Sequence, residues 1–302
     1  MKYNSSAAYK GMACMVAGVS LLATGDAITK WLVTDFHVGE IIFYRSFFAF
    51  LPLIPLIIRN GGFSSLKLQQ PTGVWSRGIL ALVTSVFVAL SFINLPLAEA
   101  SALIFTSPIF LTALSPWLLS EKVGWFRWSA VILGFVGVVV MIQPGTANFT
   151  IWAFIPLTAA LCSASRDVLT RRLGIVDSAT TVMFYTTVVA LIGGTLSMPW
   201  SGELPTPVQW GLLATSGIFV TLAHLLIVMA LQLTEGPTVA PLKYVSLVWS
   251  TIIGYLVWGD IPGAWNIIGA LMVVTAGLFI MFRETQARDD NDGRLEERKP
   301  TQ

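Results

Sequence analysis

The sequence predicts an all-α integral membrane protein, with ten transmembrane helices in two inverted five-helix repeats. Of its 302 residues, 55% are hydrophobic and 11% are charged, whereas a soluble domain has about 25% charged residues. Apolar stretches of about 20 residues, the length that crosses a bilayer, recur along the chain. The pattern of Ala23 to Lys30 also recurs 141 residues later, at Ala164 to Arg171. These three observations define the predicted fold class.

Ten apolar stretches are predicted to span the membrane, separated by breaks that are rich in Gly, Pro, Asn or charge. Spans 1 to 5 are predicted at residues 11–33, 38–58, 74–95, 98–119 and 126–143. Spans 6 to 10 are predicted at residues 151–170, 179–199, 208–231, 236–258 and 263–282. The first stretch is long enough to span and lacks a clear small-residue cleavage site. It is therefore interpreted as a span rather than a signal peptide.

The distribution of Lys and Arg predicts the orientation of the spans. With the N-terminus in the cytoplasm, the outer loops hold Lys30 at most, and the other cations near the spans fall on inner segments. This positive-inside bias predicts a multi-pass protein of a bacterial inner membrane with both termini in the cytoplasm. The inner cations before the tail are Lys2, Lys10, Arg59, Lys67, Arg77, Lys122, Arg127, Arg166, Arg171 and Arg172.

The internal repeat divides the chain into a cytoplasmic N-terminus (1–10), a first repeat (11–143), a second repeat (151–282) and a tail (283–302). Phe43-Tyr44 recurs as Phe184-Tyr185, and Glu121 and Asp260 end the fourth and ninth spans. Five spans per repeat is an odd number, so the two repeats must cross the membrane in opposite directions. That arrangement is typical of alternating-access transporters. Eleven of the last twenty residues are charged, which predicts a disordered tail.

Five ionisable residues fall inside predicted spans, where a charge costs about 3 kcal/mol on insertion scales. Asp26 and Arg45 lie at matched depth in the outer half and are predicted to form a buried pair, which either organises packing or acts as a gate and a site for a substrate carboxylate. Asp167, His224 and Lys243 lie in the inner half. Asp167 either acts in a gate or neutralises a neighbouring arginine, and His224 either couples protons or is simply hydrogen-bonded.

Spans 4 and 9 are both interrupted by proline, at Pro108 and Pro116 in the first repeat and at Pro237 and Pro241 in the second. Broken helices at corresponding positions of two repeats indicate a transport site, although a simple packing kink is the alternative. The candidate substrate-binding residues are Tyr44, Arg45, Ser101, Phe105, Thr112, Tyr185, Lys243, Tyr244, Ser246 and Trp249. Their aromatic members offer stacking and cation–π contacts, or else they are core and lipid-facing residues.

No enzyme class is indicated, because the chain has no His-Glu-x-x-His, Gly-x-Ser-x-Gly or Walker motif. Its two histidines are too few for a histidine-rich metal site. We therefore expect no cofactor, no metal and no nucleic-acid partner. The expected function is secondary transport of a small organic metabolite, with proton coupling as one option. A non-transporting membrane receptor is the alternative, and an ion channel is less favoured.

Spans 5 and 10 carry small residues and no internal charge, so they are predicted to lie outside the cavity as scaffold or as a homodimer contact. The small residues are Ala130, Gly134, Gly137, Gly269, Ala276 and Gly277. Cys14 and Cys162 both lie in apolar stretches and are expected to remain unpaired thiols.

Several strings together resemble the drug/metabolite transporter superfamily, EamA type, over residues ~10–282. They are Asp26–Lys30 with Phe43-Tyr44-Arg45, Pro108 through Leu118-Leu119-Ser120-Glu121, Gly134-Phe135-Val136-Gly137, and Ala240-Pro241-Leu242-Lys243-Tyr244 through Gly259-Asp260. The resemblance implies a cavity lined by spans 1–4 and 6–9, with spans 5 and 10 peripheral. Within the superfamily, the segment 240–244 is similar to that of bacterial uptake carriers for S-adenosylmethionine and riboflavin. Exporters of amino acids or drugs in the same superfamily are the alternative.

Overall fold

A computed structural model describes residues 5–118, 124–146, 149–173, 177–197, 204–233 and 240–297, and these residues form helices and short connections without any strand. The first half contains α1 (Ser5–Leu32), α2 (Val38–Arg59), α3 (Pro71–Asn94), α4a (Leu97–Ile104), α4b (Ser107–Leu118) and α5 (Trp125–Ile142). The second half contains α6 (Phe154–Leu173), α7 (Ala179–Ser197), α8 (Pro207–Leu233), α9 (Val245–Trp258) and α10 (Ala264–Glu297). Short 3₁₀ helices cover Gly62–Leu66, Ile151–Ala153 and Ala240–Tyr244.

The helices of the described segments confirm an all-α membrane protein. Seven of them are long and apolar enough to cross a bilayer, and two shorter apolar helices cover Leu242–Trp258 and Ala264–Ile280. The remaining helix, α6, holds Arg166, Asp167, Arg171 and Arg172 within its 20 residues. Charge at this density needs partners inside the protein or at its surface, and Arg166 lines an internal cavity described below.

The fourth and ninth spans are both broken, as their prolines predict. α4a ends at Ile104 and α4b begins at Ser107, directly before Pro108, because proline fits the first turn of a new helix and not its interior. α9 is preceded by a 3₁₀ turn that contains Pro241. The two breaks meet, since the rings of Phe105 and Tyr244 lie 5.4 Å apart.

The helix contacts show an internal two-fold relation between the two halves. α1 packs on α8 as α6 packs on α3, α2 packs on α8 as α7 packs on α3, and α1 meets α9 as α6 meets α4. The pairs α2–α7, α4–α9 and α5–α10 join helices that are equivalent in the repeat. Exchanging the two halves therefore leaves the main packing pattern unchanged. The opposite orientation of the halves relative to the bilayer stays a prediction from their span count.

α5 and α10 pack against each other through small residues, a contact that the sequence prediction did not specify. A Cβ on Gly137 would lie 2.9 Å from the carbonyl oxygen of Gly269, so the backbones approach at a distance that only small residues allow. Buried Val138, Met141 and Val273 complete this part of the largest apolar cluster. A homodimer through these two helices remains a prediction.

The predicted disordered tail differs from the structure, because α10 continues as a helix to Glu297. Once a helix is formed, each added residue gains a hydrogen bond without a new nucleation cost, and charged residues such as Glu and Arg are good helix formers. Other predicted features lie outside the described residues, including Glu121, Lys122 and Pro237.

Candidate functional site

A cavity of ≈ 180 Å³ lies among α2, α3, α6, α7 and α8, within the bundle of apolar helices. Its lining is polar and basic, with three arginines, one histidine, five hydroxyl side chains and small or apolar residues. The lining residues are Arg45, Ser46, Ala49, Arg77, Ala81, Ser85, Arg166, Met183, Thr186, Thr187, Ala190, Gly217, Val220, Thr221 and His224. No described residue of α1, α4a, α4b or α9 belongs to this lining, so it uses five of the eight spans that the family resemblance implies.

The walls of the cavity come in pairs related by the internal repeat. On α2 and α7, Arg45, Ser46 and Ala49 correspond at an offset of 141 to Thr186, Thr187 and Ala190, and all six line the cavity. On α3 and α8, Pro71 and Pro207 begin equivalent helices, and the same offset of 136 relates Ala81 to Gly217 and Ser85 to Thr221. The cavity therefore lies on the interface of the two repeats.

The cationic side chains are the exception to this pairing. Arg45 corresponds to Thr186, and at the offset of 136 Arg77 corresponds to Leu213 and His224 to Val88. Arg166 corresponds at the offset of 141 to Gly25. The small and hydroxyl residues of the lining thus recur in both repeats, whereas each basic residue of the lining is present in only one repeat. The positive charge of the lining therefore does not follow from the internal repeat, because the equivalent positions of the other repeat carry no basic residue.

Arg45 reaches the cavity because α2 crosses α8 closely. A Cβ on Gly217 would collide with the carbonyl oxygen of Arg45, so glycine is required for this contact. The charge of Arg45 interacts with that of Asp26 on α1, yet the predicted direct ion pair is absent. Within the described segments, ion pairs closer than 4.0 Å join Lys30 to Asp260 and Arg166 to Asp167.

Arg77 and Arg166 have partners that hold them at the cavity wall. Arg77 donates from Nη1 to Oγ1 of Thr186 at 3.3 Å, which links α3 to α7. Arg166 donates from Nε to Oδ1 of Asp167 at 3.3 Å and from Nη2 to Oγ of Ser163 at 3.2 Å. Asp167 therefore pairs with its neighbour Arg166, and its role in a gate stays a prediction.

His224 lies in the cavity and is oriented by its own helix. Its Nδ1 is 2.7 Å from the carbonyl oxygen of Val220, and a carbonyl oxygen only accepts, so Nδ1 carries the proton. In the neutral imidazole, Nε2 is then the acceptor. The charges of Arg45, Arg77 and Arg166 all act on this ring, which places His224 within electrostatic range of the whole basic lining.

A second polar cluster joins the ends of three helices at the predicted outer side. Lys30, at the end of α1, lies 3.6 Å from Oδ2 of Asp260, which follows α9. It also donates to the carbonyl oxygen of Leu95 at the end of α3 at 2.8 Å. Its ammonium is 5.2 Å from the centroid of the Trp258 ring, which in turn lies 6.2 Å from Trp31. This cluster therefore links the ends of α1 and α3 in the first repeat to the end of α9 in the second.

Of the residues predicted from sequence to bind substrate or couple ions, Arg45 and His224 line the cavity. Asp26, Asp167 and Lys243 lie near it, since Asp26 interacts electrostatically with Arg45, and Lys243 with Asp167 and Arg166.

Several other predicted residues lie where α4 and α9 meet. Ser101 donates to Oγ of Ser250 at 3.1 Å, and Phe105 packs on Tyr244. Ser246 donates to the carbonyl oxygen of Lys243 at 3.0 Å. Ser101 and Phe105 therefore join the two repeats through the broken helices, whereas Ser246 bonds within its own segment, and all three lie outside the cavity lining.

The remaining predicted residues make contacts outside the cavity lining. Thr112 donates to the carbonyl oxygen of Pro108 at 2.9 Å, and Tyr185 donates to that of Leu66 at 3.2 Å. The ring of Tyr44 packs edge-on against Trp210 at 5.1 Å. Trp249 is exposed on the outside of the bundle, as a lipid-facing tryptophan would be.

Sequence reasoning missed Arg77, Arg166 and the hydroxyl residues of the cavity wall as site residues. It assigned both arginines to inner segments, although Arg77 lies six residues after the start of α3. The repeat also offered a signal for Lys30, since this residue corresponds to Arg171 at the end of α6.

A bundle of apolar helices related by an internal two-fold, with a polar cavity on the interface of its halves, belongs to the class of multi-pass membrane transporters. The chain is a member of the EamA-like transporter family, which matches residues 9–143 and 150–282. This confirms the resemblance to the EamA type of the drug/metabolite transporter superfamily, and the family is one of transporters rather than enzymes.

Named relatives cover most of the chain. It is 27% identical over 268 residues to an S-adenosylmethionine uptake transporter of Rickettsia felis, an alignment of 88% of this chain and 90% of the relative. It is 26% identical to a riboflavin transporter of Rhizobium johnstonii, over 92% of this chain and 93% of the relative. It is also 26% identical to a pseudopaline exporter of Pseudomonas aeruginosa, over 83% and 88% of the two chains.

One protein of known crystal structure has the same fold. The two structures superimpose with a TM-score of 0.60, and the alignment covers 91% of this chain and 97% of the other chain at 19% sequence identity. At this identity the likeness concerns the fold alone.

Proposed function

We propose that this protein is a secondary active transporter of a small organic metabolite in the bacterial inner membrane, with both termini in the cytoplasm. The cavity among α2, α3, α6, α7 and α8 is its substrate site. Transport proceeds by alternating access, in which the two repeats exchange roles around that site.

One observation carries this proposal: a cavity with a basic and hydroxyl-rich lining lies on the interface of the two repeats in a bundle of largely apolar helices. Buried charge and hydroxyl groups are costly inside a membrane and are kept where they face a water-filled path or a substrate. A site on the two-fold interface also satisfies the geometric need of alternating access, because both repeats contact the substrate in either state.

The Lys30–Asp260 pair is the proposed outer contact that closes the path in the state seen here. It joins the ends of α1 and α9, which belong to different repeats, so opening the outer side has to separate them. The residues that correspond by the repeat are Arg171 and Glu121. Their side chains lie outside the described part of the structure, and the repeat predicts for them the equivalent inner contact.

The direction and the substrate are supported by the relatives rather than by geometry. Similarity to uptake transporters named for S-adenosylmethionine and riboflavin favours uptake of a planar-ringed, polar metabolite. Similarity to a pseudopaline exporter supports export by the same fold as the second candidate. His224 lines the cavity, and histidine is the side chain most often used for proton coupling, so it is the proposed coupling group if protons drive the cycle.

Flux into proteoliposomes tests the proposal. Purified protein is reconstituted and offered S-adenosylmethionine, riboflavin, amino acids and a planar cationic dye, each with and without an imposed pH gradient. We expect saturable uptake of one compound, which Arg45→Ala abolishes and Arg59→Ala, at the exposed end of the same helix, leaves unchanged. Thermal stabilisation by a compound without any flux would contradict transport and support a membrane receptor.

A further inference from the structure

The charge balance around the cavity is positive. The ionisable groups whose charges act on one another there are the cations Arg45, Arg77, Arg166 and Lys243 and the acids Asp26 and Asp167. With His224 neutral, these described residues carry a net charge of +2. Two excess positive charges within the membrane are destabilising unless an anion or water offsets them. The cavity itself is lined by three of the cations and by neither acid.

Arg45 is the basic group best placed to receive a ligand. It borders the cavity, and within the described segments its guanidinium has no hydrogen-bond or ion-pair partner. Arg77 has a single neutral partner, Thr186, at 3.3 Å. A guanidinium presents a planar fork of donors that matches a carboxylate or a phosphate in two parallel hydrogen bonds. A neutral acceptor would accept hydrogen bonds from this fork without balancing its charge, and a cationic ligand would add to the excess positive charge.

We propose that the cavity recognises its substrate through an acidic group, a carboxylate or a phosphate, held by Arg45 and Arg77 with the hydroxyls of Ser46, Ser85 and Thr187 beside them. This inference rests on the proposed transport function and narrows it to organic anions and to zwitterions that carry an acid. The same basic lining disfavours permanently cationic compounds without an acidic group, because like charges repel at low dielectric.

The test compares ligands that differ in one acidic group. Thermal stability of the purified full chain is measured with nicotinate against nicotinamide, with riboflavin 5′-phosphate against riboflavin, and with S-adenosylmethionine against its methyl ester. We expect the acidic member of at least one pair to raise the melting temperature with saturation, and the neutralised member to bind about 10- to 100-fold more weakly. The nicotinate pair reports a carboxylate and the flavin pair a phosphate.

Four variants test whether the preference belongs to the cavity. Arg45→Gln and Arg77→Gln should remove the preference for the acidic member, Arg45→Lys should retain part of it, and Arg59→Gln should leave it intact. Since the preference is measured first on the unmodified protein, the test does not depend on the folding of a variant. Equal binding of both members of every pair, or a preference that survives Arg45→Gln and Arg77→Gln, would overturn the proposal.

Measurements of flux distinguish a failure of acid recognition from a failure of the proposed transport function. Saturable transport of a neutral or cationic compound, with no competition by the acidic members, would contradict recognition through an acid while transport stands. Binding of an acidic member without flux of any compound would contradict transport while recognition of the acid stands.

Discussion

Breaking the Lys30–Asp260 pair should open the closed end of the bundle. The perturbation is Asp260→Asn, which keeps the size of the side chain and removes its charge. At 3.6 Å, two unit charges attract by about 4–5 kcal/mol at an effective dielectric constant of about 20. The Lys30 and Asp260 side chains are 11% and 28% exposed, so desolvation and solvent screening reduce the net contribution to about 1–2 kcal/mol. A change of that size shifts the equilibrium towards the open state by about 5- to 30-fold.

Accessibility of the cavity measures this shift. In a background with Cys14 and Cys162 replaced by alanine, Ser46→Cys provides one thiol in the cavity wall. A membrane-impermeant maleimide is added from the predicted outer side, and its rate of reaction with that thiol is measured. We expect Asp260→Asn to raise this labelling rate by about 5- to 30-fold. Asp35→Asn, an exposed acid near the same end of α1, is the matched control.

A double-mutant cycle decides whether the effect belongs to the pair. If Lys30 and Asp260 act together, Lys30→Met combined with Asp260→Asn should cost less than the sum of the single changes. Unchanged labelling in Asp260→Asn, an equal rise in the Asp35 control, or fully additive effects would each refute the gate.

The other predictions concern the cavity and its walls. His224→Gln should flatten the dependence of flux on pH between about 5 and 8, and an unchanged profile would exclude it as the coupling group. Gly217→Val should lower the free energy of unfolding by about 1–3 kcal/mol, because the added side chain would clash with α2. Gly211→Ala is the control, since the structure leaves open space beside Gly211. Equal melting temperatures of the two variants would contradict the close helix crossing. Asp26→Asn and Lys243→Ala should each abolish flux with protein retained in the membrane, and loss of folded protein would show a structural role instead.

Much of the fold was predictable because the thickness of the bilayer fixes the length of each spanning helix. Apolar stretches of about 20 residues predicted the spans, and prolines predicted the breaks in spans 4 and 9 that the structure shows. Small residues predicted close helix approach for spans 5 and 10, and the structure decided that these two helices contact each other. The helical tail was not predictable from charge composition, because the preceding span had already nucleated the helix that it continues.

The site was predictable only in part. Arg45 and His224 were identified because any ionisable residue near the middle of a span needs a reason to be there. Arg77 and Arg166 were assigned to the inner interface, where cations are common, and nothing in a single sequence distinguishes a snorkelling arginine from one that points inward. Phe105 and Tyr244, which are predicted as ligands, pack on each other, and their role as ligands stays a prediction.

The sequence by itself determined the class of this protein, because apolar length, charge asymmetry and the repeat at residues 23–30 and 164–171 are properties of the chain as written. Only the tertiary structure decided which polar residues share one cavity. Each helix can rotate about its axis at little cost in lipid, and its rotation is set by the packing of its neighbours. Contacts such as Gly217 against the backbone of Arg45 settle that rotation, and they join residues that are distant in sequence.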